Sequence, residues 1–158
     1  MSAASKSIAY RGGIVAFKIP SAWREEYEPH GGATFYEDRP DSGTLRLNVL
    51  TFEKKNGLEA MDQSADFPIV LLSGHRMRHY RKDTEEDGTP LHIYRWEVLV
   101  AVTPSRCRIV CFSHTVLVSA RDSTATQQEL QLVDELVRDA DYSTADGVVP
   151  KAWWRIWK

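Results

Sequence analysis

Hydrophobic and polar positions alternate along much of this chain, which is the pattern of β-strands that bury one face. The alternation is clearest over Thr44–Glu53, where every second residue from Leu45 to Val49 is apolar. Residues 7–10 and 14–19 flank an Arg-Gly-Gly turn and predict a hairpin. An antiparallel sheet is therefore the expected framework.

Turns and short segments separate the first strands. Pro20 ends the second strand, and residues 21–27 are predicted to form one helical turn that carries Trp23. A short strand is predicted at residues 33–36, and residues 39–43 make a turn.

The pattern is weaker over residues 58–73. Leu58, Met61 and Ala65 fit one face of a helix, and Asp66 ahead of Pro68 predicts the cap of a second short helix.

The second half of the chain predicts an antiparallel meander. Residues 76–82 and 91–102 surround a polar stretch at 83–88, which we interpret as a solvated loop between two strands. Residues 107–118 add a third strand. The last two of these strands carry apolar residues on both faces, so we expect cover on both sides of the sheet.

A helix is predicted to start at the capping residues Ser123 and Thr124 and to continue through Ala140. Its apolar residues recur at helical spacing on one face: Leu130, Val133, Leu136, Val137 and Ala140. This helix supplies half of the expected cover.

Four short motifs occur in an order that resembles the PsbP-like superfamily. They are Phe17-x-Ile19-Pro20-x-x-Trp23, the strand entry Gly43-Thr44-Leu45-Arg46-Leu47, the strand Tyr94-Arg95-Trp96, and the amphipathic helix that ends near Asp141. This superfamily includes the extrinsic photosystem II subunit, a Ran-binding nuclear import factor and DcrB-like bacterial proteins. The resemblance covers roughly residues 8–142.

The resemblance implies an α+β fold, with an antiparallel β-sheet of about six strands flanked by helices as an α/β/α sandwich. It also implies a binding, assembly or adaptor role rather than an enzymatic one, since that is what most members do; some bacterial relatives are chaperones for secreted effectors. It transfers no binding residue to this sequence.

The length of 158 residues and mass of 18.0 kDa fit one domain. We assign residues 1–142 to a single α+β domain and residues 143–158 to a linker and a tryptophan-rich basic tail. The tail holds three of the five tryptophans. On a helix, Trp153, Trp154, Ile156 and Trp157 share one side, whereas Lys151, Arg155 and Lys158 share the other.

Three interpretations of this tail stay open: it docks on its own domain, inserts into a protein partner or homodimer mate, or lies in a membrane interface. Its candidate partner-binding residues are Trp153, Trp154, Arg155 and Trp157.

A basic strand is the second candidate site. Arg76, Arg78, Tyr80 and Lys82 alternate along one predicted strand and project together. They form a basic ladder for a phosphate or an acidic partner. A solvated strand face is the simpler interpretation, and a single aromatic residue disfavours nucleic acid.

The histidines suggest little chemistry. His75 and His79 would share a helical face as a zinc pair does, but lie about 13 Å apart in the predicted strand. His92 and His114 are candidates for a catalytic base, with Glu97 or Asp122 as the partner, although a buried structural role is favoured for His114. We predict no metal site and no cofactor.

Charge and cysteine content limit the kinds of ligand and the cellular compartment that we expect for this protein. The formal net charge of −2 provides no global attraction to nucleic acid or membranes. No apolar run reaches the length of a signal peptide or membrane span, and the two cysteines are expected to be buried thiols. We expect a cytoplasmic protein.

The sequence thus favours a non-catalytic protein-binding, adaptor or chaperone-like module. The alternatives are a small hydrolase or ligand-processing enzyme that uses His92 or His114, and phosphate or nucleic-acid binding through the basic strand.

Overall fold

A computed structural model describes residues 4–53 and 63–145, which form an α+β domain. The strands are β1 (Ser5–Tyr10), β2 (Val15–Pro20), β3 (Trp23–Tyr27), β4 (Ala33–Glu37), β5 (Thr44–Glu53), β6 (Ile69–Val70), β7 (Arg76–Glu86), β8 (Thr89–Thr103), β9 (Arg106–Leu117) and β10 (Asp141–Tyr142). The helices are α1 (Gln63–Asp66) and α2 (Thr124–Asp139), with a 3₁₀ turn at Val118–Ala120.

These strands form two antiparallel sheets. The larger has seven strands in the order β3-β4-β5-β9-β8-β7-β6, and the smaller has three in the order β1-β2-β10. Every strand pair is antiparallel. The three longest strands, β7, β8 and β9, are consecutive in the chain and adjacent in the sheet, so one meander builds three of the seven strands of the large sheet.

The hydrophobic core lies between one face of the large sheet, here called the inner face, and the layer formed by the small sheet and α2. Phe17 of β2 meets Phe35 and Phe112 of the large sheet edge to face, with ring centroids 5.5 and 5.7 Å apart. Val133 and Val137 of α2 are fully buried in the same core. The opposite face of the large sheet is called the outer face.

Helix α2 is attached to the inner face by polar contacts as well as packing. The indole Nε1 of Trp96 donates to Asp134 Oδ1 at 3.0 Å, and the hydroxyl of Tyr142 donates to the carbonyl of Val137 at 2.6 Å. The side chain of Ser123 caps the helix by accepting from the backbone N–H of Thr126. The position of α2 is thus set at its start, middle and end.

Several sequence predictions are confirmed. The hairpin of β1 and β2, the bounds of β5, the meander and the Ser123 cap are all present. The α+β class is confirmed as well. The strands divide over two sheets, however, and the predicted α/β/α sandwich stays a prediction.

Three local predictions are wrong. Residues 21–27 do not form a helical turn, because Trp23 begins β3 and pairs with Glu37 of β4. Asp66 does not cap a second helix, since it ends α1 and β6 follows. The stretch 83–88 is not a loop: β7 runs through Glu86, and the turn is Asp87-Gly88, with φ of 51° and 81°.

The outer face has cover at one end only among the described residues. There Phe67 packs with Leu99, Cys107 and Ile109 in a small second cluster. The predicted helical positions Leu58 and Met61 lie outside the described residues. No helix within residues 4–53 and 63–145 is both long and apolar enough to cross a membrane.

We predict that Ser123→Ala lowers the free energy of unfolding by about 1 kcal/mol, because the N–H of Thr126 loses its acceptor. Ser123→Asp keeps an acceptor and is the matched control. Urea denaturation measures both variants. Equal stability of the alanine and aspartate variants would contradict this role for Ser123.

Candidate functional site

The outer face of the large sheet carries a group of cations that the antiparallel register brings together. We call it the basic face and define it by five residues of β5, β7 and β8: Arg46, Arg76, Arg78, Lys82 and Arg95. Three of them belong to the predicted basic strand, and Arg46 and Arg95 join them from other strands.

Residues that lie directly opposite one another on neighbouring strands form a row across the sheet. One such row shows how cations from different strands come together. Arg46 of β5 lies opposite Ser113 of β9, Ser113 lies opposite Arg95 of β8, and Arg95 lies opposite Tyr80 of β7. Directly opposite residues project from the same face. Because neighbouring strands are about 4.8 Å apart, the backbones at Arg46 and Arg95 are separated by only about 10 Å.

Glu97 lies in the next row and is the one carboxylate among the outer-face positions of β5, β9, β8 and β7 between the rows of Arg76 and Lys82. It accepts from Nε of Arg78 at 3.0 Å. Burial raises the pKa of Glu97, but hydrogen bonds from Arg78 and Tyr80 together lower it by more than burial raises it. The net shift of the pKa is therefore downward. Glu97 is therefore ionised at neutral pH and offsets one of the five cations.

The other four cations form no ion pair within the described part of the chain. Arg46 and Lys82 are exposed, and Arg76 and Arg95 are half-buried. Nε of Arg95 is buried and has no hydrogen-bond partner. The basic face therefore keeps an excess of positive charge that is open to a ligand.

A thiol on the same face is not a nucleophile at neutral pH. Burial, and then the negative charge of Glu97, raise the pKa of Cys111 to about 11. The thiolate is the reactive form of cysteine. Cys111 is therefore a structural neighbour of the basic face.

One end of the outer face is apolar. Leu50 is 51% exposed and Phe52 is 39% exposed, and both stand on the outer side of β5. They lie opposite Ile109 and Cys107 of β9. The face thus offers cations at its centre and two exposed apolar side chains beside them.

His114 lies in a buried polar cluster beneath α2. Its Nε2 is 2.6 Å from Oε1 of Glu129, which also accepts the backbone N–H of Gly43 at 2.9 Å. Arg39 donates to the second oxygen of Glu129 at 2.7 Å. His114 is fully buried, so it is a structural histidine that links the sheet to the helix.

His92 is also buried, and its imidazole contacts a different carboxylate from that of His114. Its Nδ1 is 2.6 Å from Asp83 Oδ1, and its Nε2 faces Arg121 at 3.3 Å. A carboxylate accepts and a guanidinium donates, so the imidazole carries its proton on Nδ1. The predicted partners of the two histidines, Glu97 and Asp122, are wrong. Glu97 lies on the outer face, and Asp122 pairs with Arg121.

Neither histidine has the accessible imidazole that the hydrolase hypothesis requires, since His92 is 5% and His114 0% exposed. His75 and His79, which a helix would have brought onto one face, have different surroundings: His75 contacts the ring of Tyr142, whereas His79 stacks on Trp96. No group of three or more metal-ligating side chains occurs in residues 4–53 and 63–145.

The tail residues Trp153, Trp154, Arg155 and Trp157 lie outside the described residues. The described chain ends at Ala145. Arg108 donates to the carbonyls of Ser143 and Ala145 at 2.8 and 2.9 Å. Residues 143–145, which the sequence assigned to the linker, are therefore bound to the domain.

Solved structures that resemble this chain show its fold. One is a protein of Bacteroides thetaiotaomicron VPI-5482, with a TM-score of 0.60, 18% identity and coverage of 90% of this chain and 49% of that one. Another is LpqN of Mycobacterium tuberculosis, which is involved in cell envelope biogenesis, with a TM-score of 0.57, 10% identity and coverage of 80% and 81%. This chain spans about half the length of the Bacteroides protein.

The structures that match also include the solution structure of cyanobacterial PsbP (CyanoP) from Synechocystis sp. PCC 6803, with a TM-score of 0.41, 11% identity and coverage of 90% and 95%. At these identities the likeness concerns the fold alone. Neither a protein-family model nor a curated protein matches the chain.

We predict that Gly43→Ala lowers the free energy of unfolding by about 2 kcal/mol. A Cβ at this position would overlap Nε2 of His114 and Oε1 of Glu129, so the buried cluster would have to separate. Thermal and urea denaturation measure the loss. Ser42→Ala, next in the chain, is expected to stay within about 0.5 kcal/mol of the parent. A Gly43→Ala variant as stable as Ser42→Ala would show that the contact is not tight.

The stability contributed by Glu129 should depend on pH. Burial raises its pKa, but the hydrogen bond and charge of His114 and the charge of Arg39 lower it below the usual range. A carboxyl with a depressed folded-state pKa stabilises the fold above its unfolded pKa of about 4.3, and this contribution is lost as pH falls through the folded pKa.

We predict that Glu129→Gln costs about 3 kcal/mol at neutral pH, and that the difference from the parent shrinks below about pH 4. Urea titrations at several pH values measure it. Glu135→Gln, exposed on the same helix, should show no comparable loss. A difference that persists unchanged at acid pH would mean that shape rather than charge is responsible.

Proposed function

We propose that this chain is a non-catalytic protein-binding module of the adaptor or chaperone-like kind, and that it holds an acidic segment of a partner protein on its basic face. The observation that carries the proposal is the register, which gathers Arg46, Arg76, Arg78, Lys82 and Arg95 on one face. Glu97 is the sole carboxylate between them on the outer side of β5, β9, β8 and β7.

Charge complementarity favours an acidic ligand. The five cations and one carboxylate leave a local charge of +4 (five minus one), although the whole chain has a formal charge of −2. Exposed charges are screened over about 8 Å at physiological salt, so a ligand on this face responds to the local charge. Exposed Arg46 and Lys82 attract the partner, and half-buried Arg95 adds a third charge to the same face.

The apolar end of the face favours a protein over a nucleic acid. Exposed Leu50 and Phe52 provide a contact for apolar side chains that follow the acidic ones in a peptide. A run of stacking aromatic residues, which single-stranded nucleic acids use, is absent from the described strands of this face.

The enzyme alternative has less support. It needs an accessible imidazole beside a carboxylate, whereas His92 and His114 are both buried.

The proposed setting is the cytoplasm or another reducing compartment. Its support is that Cys107 and Cys111 are thiols rather than halves of a disulfide.

The binding test uses a fluorescein-labelled peptide of alternating glutamate and leucine, with a glutamine and leucine peptide as the uncharged control. Fluorescence anisotropy should show tighter binding of the acidic peptide, weakened by salt. We predict that Arg46→Glu combined with Lys82→Glu weakens it about tenfold, since two exposed ion pairs of roughly 0.7 kcal/mol each are reversed.

Lys18→Glu is the matched control, because Lys18 is an exposed lysine on the small sheet. It should leave the affinity within about twofold of the parent. Equal affinity for the acidic and uncharged peptides would overturn the proposal. Preferential binding of labelled oligo-dT would assign the face to nucleic acid instead. Self-association abolished by the same double variant would assign it to a second copy of this chain.

A further inference from the structure

A second surface lies away from the basic face, on the layer formed by the small sheet and α2. It is a groove of about 630 Å³ between the hairpin of β1 and β2 and the side of α2. This volume is within the range of ligand-binding clefts. We call it the hairpin groove.

The β1 and β2 side of the groove is lined by small residues. Ser5, Ser7, Ala9 and Ala16 all line it. Ser7 lies opposite Lys18, and Ala9 lies opposite Ala16, so the small side chains share one face of the hairpin. Small side chains leave the volume of the groove to the large side chains of an occupant.

The other side of the groove is acidic. Glu135 and Asp139 of α2 and Asp141 of β10 line it, and all three are exposed. None of them forms an ion pair within the described residues, and Lys18 is the one cation among the lining residues. An occupant of this groove should therefore be both cationic and rich in large apolar side chains.

One segment of this chain has that composition. Residues 150–158 contain three tryptophans and an isoleucine, together with Lys151, Arg155 and Lys158. Three cations match three carboxylates, and the large side chains match the space that the small residues leave. The segment therefore complements the groove in both charge and size.

Residues 150–158 are also close enough in sequence to the described domain to reach the hairpin groove. Asp141, in the acidic side of the groove, precedes Ala145 by four residues, and a fully extended chain of that length spans at most about 14 Å. From Ala145 to Trp153 there are eight residues, which span at most about 29 Å. A chain that turns back after Ala145 is long enough to return to the groove.

We propose that the hairpin groove binds residues 150–158 of the same chain, with the tryptophans over the small residues and the cations against Glu135, Asp139 and Asp141. The proposal does not depend on the basic face, which lies on the other side of the large sheet.

Tryptophan quenching by acrylamide in the full-length protein tests the proposal. Trp23 and Trp96 are buried and contribute little quenching, so the signal reports the three tail tryptophans. We expect them to be less quenchable than in a synthetic peptide of residues 150–158. Equal quenching of the intact protein's tail and the peptide would overturn the proposal.

Charge exchange tests the contact itself. Glu135→Lys with Asp139→Lys should increase quenching, because two ion pairs become repulsive and each is worth roughly a twofold change in docking. Lys151→Glu with Arg155→Glu should do the same, and the four substitutions together should restore protection. Failure of the combined variant to restore protection would overturn the assigned contact.

The control reverses two other exposed carboxylates, Glu85→Lys with Glu86→Lys, which changes the net charge equally at the end of the β7–β8 hairpin. Quenching should then match the parent. Sedimentation velocity completes the test. A monomer with protected tryptophans supports docking within one chain, whereas protection found only in a dimer would overturn it in favour of exchange between two copies.

Discussion

Burial of the inner face of the seven-stranded sheet is the constraint on which the other features depend. A sheet of this size with an apolar face needs a second layer, and here the hairpin of β1 and β2 and helix α2 provide it. Phe17 is at the centre of this layer, in edge contact with Phe35 and Phe112. Because cover is concentrated on this side, the centre of the outer face is left to polar and charged residues.

The same constraint explains the buried polar cluster. Helix α2 crosses the inner face with a glutamate, Glu129, pointing into a site that excludes water. An unpaired buried carboxylate is costly, so it has to be satisfied by His114, Arg39 and the backbone of Gly43. The cluster therefore links the helix to the sheet through side chains that are buried from solvent.

Local patterns predicted the strands of this chain better than its tertiary arrangement. Alternation over Thr44–Glu53 and the Ser123 cap depend on neighbours in sequence, and both were found. Trp23 was placed in a helical turn because strand β3 has only one buried residue, and its pairing with β4 could not be read locally. The division of strands over two sheets likewise depends on long-range contacts.

The candidate site shows the same limit in another form. The basic strand was visible because Arg76, Arg78 and Lys82 alternate within one segment, and alternation is a local property. Arg46 and Arg95 could not be added to it without the register that aligns both with Ser113. Asp83 could have been found as the partner of His92 if the turn had been placed at Asp87-Gly88, since that turn sets the two residues opposite each other.

The net charge of this chain is therefore a poor guide to the local charge of its surfaces. With a formal charge of −2 and a basic face of +4, the remainder of the chain carries −6 (−2 minus +4), part of it in the hairpin groove. Exposed charges act over about 8 Å, so two surfaces of opposite sign on opposite sides of the domain can select different ligands. An acidic partner and a basic segment of the chain itself would then occupy separate surfaces without competing.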